Sequence, residues 1–330
     1  MLIIFGCKPK NTNVNRAFYY WKSKFELDKD ELKILNQNNI NTLYIKYFDV
    51  LWNAKLNAAI PAAKIEFKYA IPQHIQVIPV VYITNNALLK SNKDSIKTLA
   101  ISISKLINAY GLIVNKKINQ IQIDCDWTLS SKEKYFALLT TLKSIYNNQL
   151  ILSATIRLHQ IKYVSETGIP PVKKGMLMYY NMGNIEHQHN NSIFNENDAE
   201  KYAPYIKQYP LPLDAVLPLF SWVKVFRNHK MHQLLNQISF QELINSNLFQ
   251  HVNEYTLKPI ATCTYKGITF LTNDVLVAEI VAPKLSKKAA QHLHRYFNKT
   301  TFTLALFHLN KYKLNDFTEQ DIESIYTTFN

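Results

Sequence analysis

A chain of 330 residues, 47% hydrophobic and 19% charged, has the composition of an ordinary globular protein and is long enough for one large α/β domain. No window holds the roughly 18 uninterrupted apolar residues that a membrane-spanning helix needs. The net charge is +14, yet the lysine pairs 116–117, 173–174 and 287–288 stand far apart and no zinc-finger or RNA-binding spacing occurs, which argues against a nucleic-acid partner and spreads the charge over solvated faces.

The amino terminus, MLIIFGC followed by KPKNTNVN, resembles the lipobox of bacterial lipoproteins, in which a small residue precedes a cysteine that is freed and acylated. The resemblance implies lipidation at Cys7, a tether over residues 1–14 and a place in the bacterial cell envelope. The alternative is a cytoplasmic chain with an apolar first strand. Cys125 and Cys263 lack metal spacing and a disulfide mate, so both are expected in the core.

From residue 15 to 330 strands and helices alternate. Residues 17–23 form the first strand, and 28–39 a helix with capping acids. The second strand, 41–50, puts Tyr44, Lys46 and Phe48 on one face by simple alternation. The β-branched run 74–84 is the third strand; a helix follows over 94–110, with Gly111 as its stop. IQIDCDWT, residues 121–128, is the fourth strand, and 130–147 an amphipathic helix. Strands five and six are 149–160 and 174–182; a helix covers 196–208, and strand seven, 212–222, carries Pro218. Residues 223–283 break the rhythm and read as an insertion of hairpins, with turns at 227–228 and 272–273. The alternation resumes with a helix at 284–297, an eighth strand at 302–310 and a closing helix at 316–329. Eight strands with interleaved helices predict a (β/α)8 TIM barrel with a small β-rich insertion after strand seven. No glycine-rich loop follows strand one, which argues against a Rossmann dinucleotide site, and no cofactor is expected.

In such barrels chemistry gathers at the carboxyl ends of the strands. Those ends supply Tyr20, Trp21, Asp49, Tyr82, Asp124, Asp126, Trp127, Arg157, His159, Tyr180, Asn181, Trp222 and His308, though alternation lets only about half of each neighbouring pair face the mouth. Rings, carboxylates and amides outnumber cations. Sugar rings offer C–H faces that stack on aromatics and hydroxyls that seek carboxylates and amides, so the set favours an oligosaccharide or polysaccharide. Arg157 is expected to neutralise Asp124 or Asp126. His187 and His189, in EHQHN, read as a solvated loop.

The fourth-strand motif resembles that of glycoside hydrolase family 18 and its chitinase-like relatives, D-x-x-D-x-D-x-E. Its second and third acids fall on Asp124 and Asp126, while M-x-Y-D of the sixth strand is matched by Met178, Tyr180 and Asn181. The phrases IDCDWT, RLHQ and MLMYYNMG are also similar to a group of bacterial secreted or lipoprotein barrels with no assigned function. The resemblance implies a carbohydrate-active barrel in which Asp126 orients a sugar's acetamido group. Two positions depart from it: Ile121 stands where the first acid belongs, and Thr128 where the proton-donating glutamate belongs. A threonine hydroxyl is no acid at useful pH. Three readings stay open: a hydrolase with relocated acids (Asp126, Asp124 and Asp49 as catalytic groups), a silent glycan-binding surface lipoprotein, and a metal-dependent hydrolase using Asp49, Asp124, Asp126, His159 and His308. Substrate contacts are expected from Trp21, Tyr20, Trp127, Arg157, His159, Tyr180, Asn181 and Trp222.

Overall fold

The computed structural model describes residues 13–147, 149–297, 299–310, 314 and 316–329, so Cys7 and its tether lie outside the described residues. Eight parallel strands close on themselves: β1 (Asn13–Tyr20), β2 (Thr42–Asn53), β3 (Gln76–Ile83), β4 (Gln120–Asp124), β5 (Ile151–Arg157), β6 (Lys174–Met178), β7 (Leu213–Pro218) and β8 (Thr301–Phe307). Closure is made by β1, which pairs with β8 through Asn13↔Thr301 to Phe18↔Leu306 and with β2 through Ala17↔Thr42 to Tyr20↔Ile45. This is the (β/α)8 barrel that the alternation predicts.

Among the described residues, five helices of eight or more residues pack around it: α1 (Lys29–Gln37), α2 (Lys93–Val114), α3 (Lys132–Ile145), α4 (Pro283–Tyr296) and α5 (Glu319–Tyr326). Two of the starts are fixed by side-chain caps of the same kind. Asp28 accepts from the backbone N–H groups of Asp30 and Glu31 at the head of α1, and Thr318 caps α5 in the same way through Asp321. Helix α2 runs through Gly111 to Val114, one turn beyond the predicted stop. It ends where Asn115 takes a left-handed φ of 49°, a conformation that Asn tolerates. By length and composition α2 could cross a membrane, but Ile96, Leu99, Ile103 and Ile107 are buried along the barrel.

The core has two layers. Between barrel and helices lie Phe18, Tyr20, Phe48, Leu139 and Trp127 among others; inside the ring lie Tyr19, Tyr44, Met176, Met178, Tyr180 and Val216. Between β7 and α4 the chain builds a five-stranded antiparallel sheet in the order 230–235, 222–227, 275–279, 256–259, 249–253. Its first turn is Asn228–His229, where φ is 50° and 61°, as tight hairpins require. The turn expected at 272–273 is not a hairpin. The tight turn falls instead at Lys266–Gly267, both at positive φ, joining 263–265 to 268–270, while 275–279 pairs with 222–227. Cys125 is buried, whereas Cys263, on the small hairpin, is only half-buried.

Candidate carbohydrate site at the barrel mouth

Alternation along β4 turns Gln120, Gln122 and Asp124 inward. Tyr19 donates to Gln122 Oε1 at 2.5 Å, and above it Thr155 of β5 donates to Asp124 Oδ1 at 2.6 Å. The Asp124 carboxyl is buried, 4% exposed, and burial pushes its pKa up to about 6. Arg157 and the Thr155 hydroxyl oppose that rise, while the charges of Asp126 and Asp49 add to it. Asp126 follows the end of the strand and is half exposed. The Arg157 guanidinium grips it with both Nε and Nη2, the latter 3.0 Å from Oδ2.

A bulge decides what β2 contributes. The β2–β3 register runs Lys46↔Val80 and then Phe48↔Val81, so Tyr47 is the extra residue. Beyond it the faces exchange: Phe48 joins the outer layer, and Asp49, opposite Tyr82, turns to the mouth. The face read from alternation, Tyr44, Lys46 and Phe48, is therefore corrected to Tyr44, Lys46 and Asp49. Lys46 Nζ lies 3.0 Å from Asp49 Oδ1.

The other side of the mouth is a run of rings. Centroids stand 5.5 Å apart for Trp21–Phe307, 5.7 Å for Phe307–Tyr180, 5.4 Å for Tyr180–Phe220 and 5.3 Å for Phe220–Trp222. Tyr82 meets Trp21 edge-on at 6.5 Å, Lys46 Nζ lies 5.5 Å over Trp21, and the Arg157 guanidinium lies 6.0 Å over Tyr180. Trp222 is aimed by a buried network: its Nε1 donates to Glu279 Oε2 at 2.5 Å, the atom that also accepts from Ser192 Oγ at 2.6 Å. Lys224 Nζ pairs with Glu279 Oε1 at 2.5 Å and donates to the His187 carbonyl at 2.5 Å, tying the inserted sheet to the loop after β6.

The structure thus brings together Trp21, Asp49, Asp124, Asp126, Arg157, Tyr180 and Trp222. Tyr20 and Trp127 are placed elsewhere. Tyr20 points into the outer layer with its hydroxyl donating to the Lys24 carbonyl, and Trp127 stacks on Tyr135 at 5.1 Å and donates to the Thr167 carbonyl. His159 is exposed on the short helix Leu158–Lys162, and Asn181 is exposed at a left-handed φ of 54°. Thr128 is exposed before α3; its N–H donates to Ser131 Oγ at 3.0 Å and its Oγ1 accepts from Asn85 at 3.4 Å. Thr155, Phe220, Phe307 and Glu279 were not among the expected residues. Thr155 lies two positions before Arg157 on β5, a spacing that places both on one face, whereas Phe220 lies past the end of β7, where alternation gives no signal. Among the described residues no three His, Cys, Asp or Glu side chains form a group able to hold a metal ion, so the metal-hydrolase reading lacks its site. His187 and His189 line a separate recess of about 370 Å³ with His229 and Glu186.

No family model matches the chain. None of the curated proteins matches it either. Solved structures do. The spore cortex-lytic enzyme SleL of Bacillus megaterium QM B1551 superposes with a TM-score of 0.58 at 16% identity, over 98% of this chain and 76% of that one. A chitinase from Chromobacterium violaceum gives 0.55 at 10% identity, over 96% of this chain and 98% of its own. A chitinase-like agglutinin from Robinia pseudoacacia gives 0.53 at 12% identity, covering 95% and 99%. The fold is that of the chitinase-like barrels. At these identities the likeness speaks to the fold alone, and what the mouth does rests on its own residues.

Proposed function

We propose that the mouth binds a glycan and leaves it intact. The carrying observation is the state of its acids. Thr128 occupies the donor position, Asp126 is held by Arg157, Asp49 by Lys46, and Asp124 is buried against Thr155. A carboxylate tied to a guanidinium by two contacts is a poor base and a poor partner for a sugar's acetamido group. The rings from Trp21 to Trp222 nevertheless offer the stacking surface a sugar needs, beside charged groups that can meet its hydroxyls. Solved barrels of this shape include enzymes, named as a chitinase and a cortex-lytic enzyme, and an agglutinin; the acids here favour the agglutinin's side of that division. The test mixes the protein with chitin oligosaccharides and a wider glycan panel, following binding heat and reducing ends in the same samples. Heat without new reducing ends is expected; release of reducing ends overturns the proposal.

One observation favours a second reading. A carboxyl with a pKa near 6 can donate a proton at mildly acidic pH, so a hydrolase built on Asp124, with Asp126 and Asp49 beside it, would work below neutrality. Under that reading Asp124→Asn abolishes reducing-end release at pH 5.5 or below, taken as about half a unit under that pKa. The proposal also places the chain in the bacterial cell envelope through acylation of Cys7. Labelling of the wild type by a radioactive fatty acid in cells, and its loss in Cys7→Ser, is the expected outcome; equal labelling of both overturns it.

A further inference from the structure

The end of the barrel opposite the mouth differs from it in charge. The loops that lead into the strands, residues 39–41, 72–75, 115–119, 146–150, 171–173, 209–212 and 299–300, contain no Asp or Glu. They carry Lys116, Lys117, Lys173 and Lys299, and Lys143 sits in the last turn of α3 at the same end. Lys116 Nζ donates to the carbonyls of Pro72 and Gln73, both at 2.9 Å, which fixes the side chain without neutralising it. Asp214 in β7 is taken by Lys174 at 2.5 Å and by the Thr303 N–H at 2.8 Å; Glu323 is paired with Arg16 beside the Asn38 carbonyl, and Glu200 accepts from Tyr296 in the last turn of α4 at 2.6 Å. Two of the three lysine pairs that are remote in sequence thus converge on one face.

Apolar groups share that face. Leu112 and Ile113, in the last turn of α2, are 84% and 66% exposed, and Ile145, 37% exposed, ends α3 at the same end of the barrel. Adjacent apolar side chains ringed by uncompensated lysines are what an interfacial surface needs, because the rings of charge approach anionic headgroups while the apolar tips enter the acyl boundary. A second copy of the chain is disfavoured as the occupant, since a two-fold contact would set the same lysines against one another.

We infer that the amino-terminal end of the barrel is a membrane-contact face for an anionic phospholipid bilayer, which turns the mouth outward. The inference needs neither glycan binding nor acylation of Cys7. Its test uses the full chain carrying Cys7→Ser, so that no lipid anchor contributes, sedimented with vesicles of phosphatidylcholine alone or with about one third phosphatidylglycerol. The chain is expected to pellet with the anionic vesicles only, and to be released at roughly 0.5 M salt. Lys117→Glu with Lys173→Glu should lower partitioning about tenfold or more, as should Leu112→Ser with Ile113→Ser by a smaller factor. Lys55→Glu with Lys64→Glu, the same charge change at the mouth end, should leave it within about twofold. Far-UV circular dichroism melts confirm that each variant folds. Binding indifferent to lipid charge, equal loss in both lysine variants, or self-association of the wild type that Leu112→Ser with Ile113→Ser abolishes would each overturn the inference.

Discussion

Two ion pairs stand beside the mouth, and burial separates them. Lys224 and Glu279 are withdrawn from water, at 0% and 2% side-chain exposure, and are completed by Ser192, Trp222 and the His187 carbonyl. Arg157 and Asp126 keep 21% and 51% of their side-chain surface exposed. The first pair cannot reach a ligand; it fixes the inserted sheet and aims the Trp222 ring. The second is open to whatever enters. Within one site, then, burial divides charges that build the wall from charges that can meet a sugar.

The largest expected effect tests the buried pair. Glu279→Ala leaves the Lys224 ammonium without its carboxylate in a dry site, and should cost about 3–5 kcal/mol in urea unfolding. A loss under about 1 kcal/mol would show that water already reaches the pair and would erase the contrast.

Asp124 comes next. Its pKa is raised from the ordinary 3.8 to about 6, so the folded chain holds that proton more tightly than the unfolded one. The stability it contributes is therefore greatest below about pH 4, falls as pH rises from there to 6, and settles at a cost of about 3 kcal/mol above that range. Asp124→Asn should stabilise the protein at pH 7.5 by an amount up to that cost and change little near pH 4, as read from unfolding at the two pH values. An equal effect at both would mean that Asp124 titrates normally.

The smallest effect belongs to the open pair. Arg157→Gln should cost about 1 kcal/mol or less, because the Asp126 carboxylate it releases is half exposed and stays solvated. It should also raise the Asp124 pKa further, since the guanidinium is the strongest influence holding it down. Carboxyl carbon NMR of the two proteins reads that difference directly.

Much of this was legible in the chain itself. Near-continuous apolar runs and helical spacing mark the eight barrel strands in order, because a closed barrel with helices outside leaves each strand two apolar faces. The converging acids of IDCDWT were legible because side chains two apart on a strand share a face. Which of two neighbours faces inward was not. Tyr20 and Trp21 look alike in sequence, and only the register of β1 against β8 and β2 sends Tyr20 outward. The bulge at Tyr47 carries no sequence mark, yet it exchanges Phe48 for Asp49 at the mouth. Trp127 lies past the last paired residue of β4, where alternation stops, and the nearby Tyr135 ring draws it into the helix layer. Glu279 was invisible as a site residue because its partners Ser192 and Trp222 are 87 and 57 positions away.

The most direct measurement is titration calorimetry of the glycan panel against the wild type and Trp21→Ala/Trp222→Ala, with reducing ends assayed in the same cells. Saturable binding by the wild type, weakened about tenfold or more in the variant and with no new reducing ends, is the predicted result. Cleavage of any panel member, or affinity unchanged by loss of both indole rings, would contradict it.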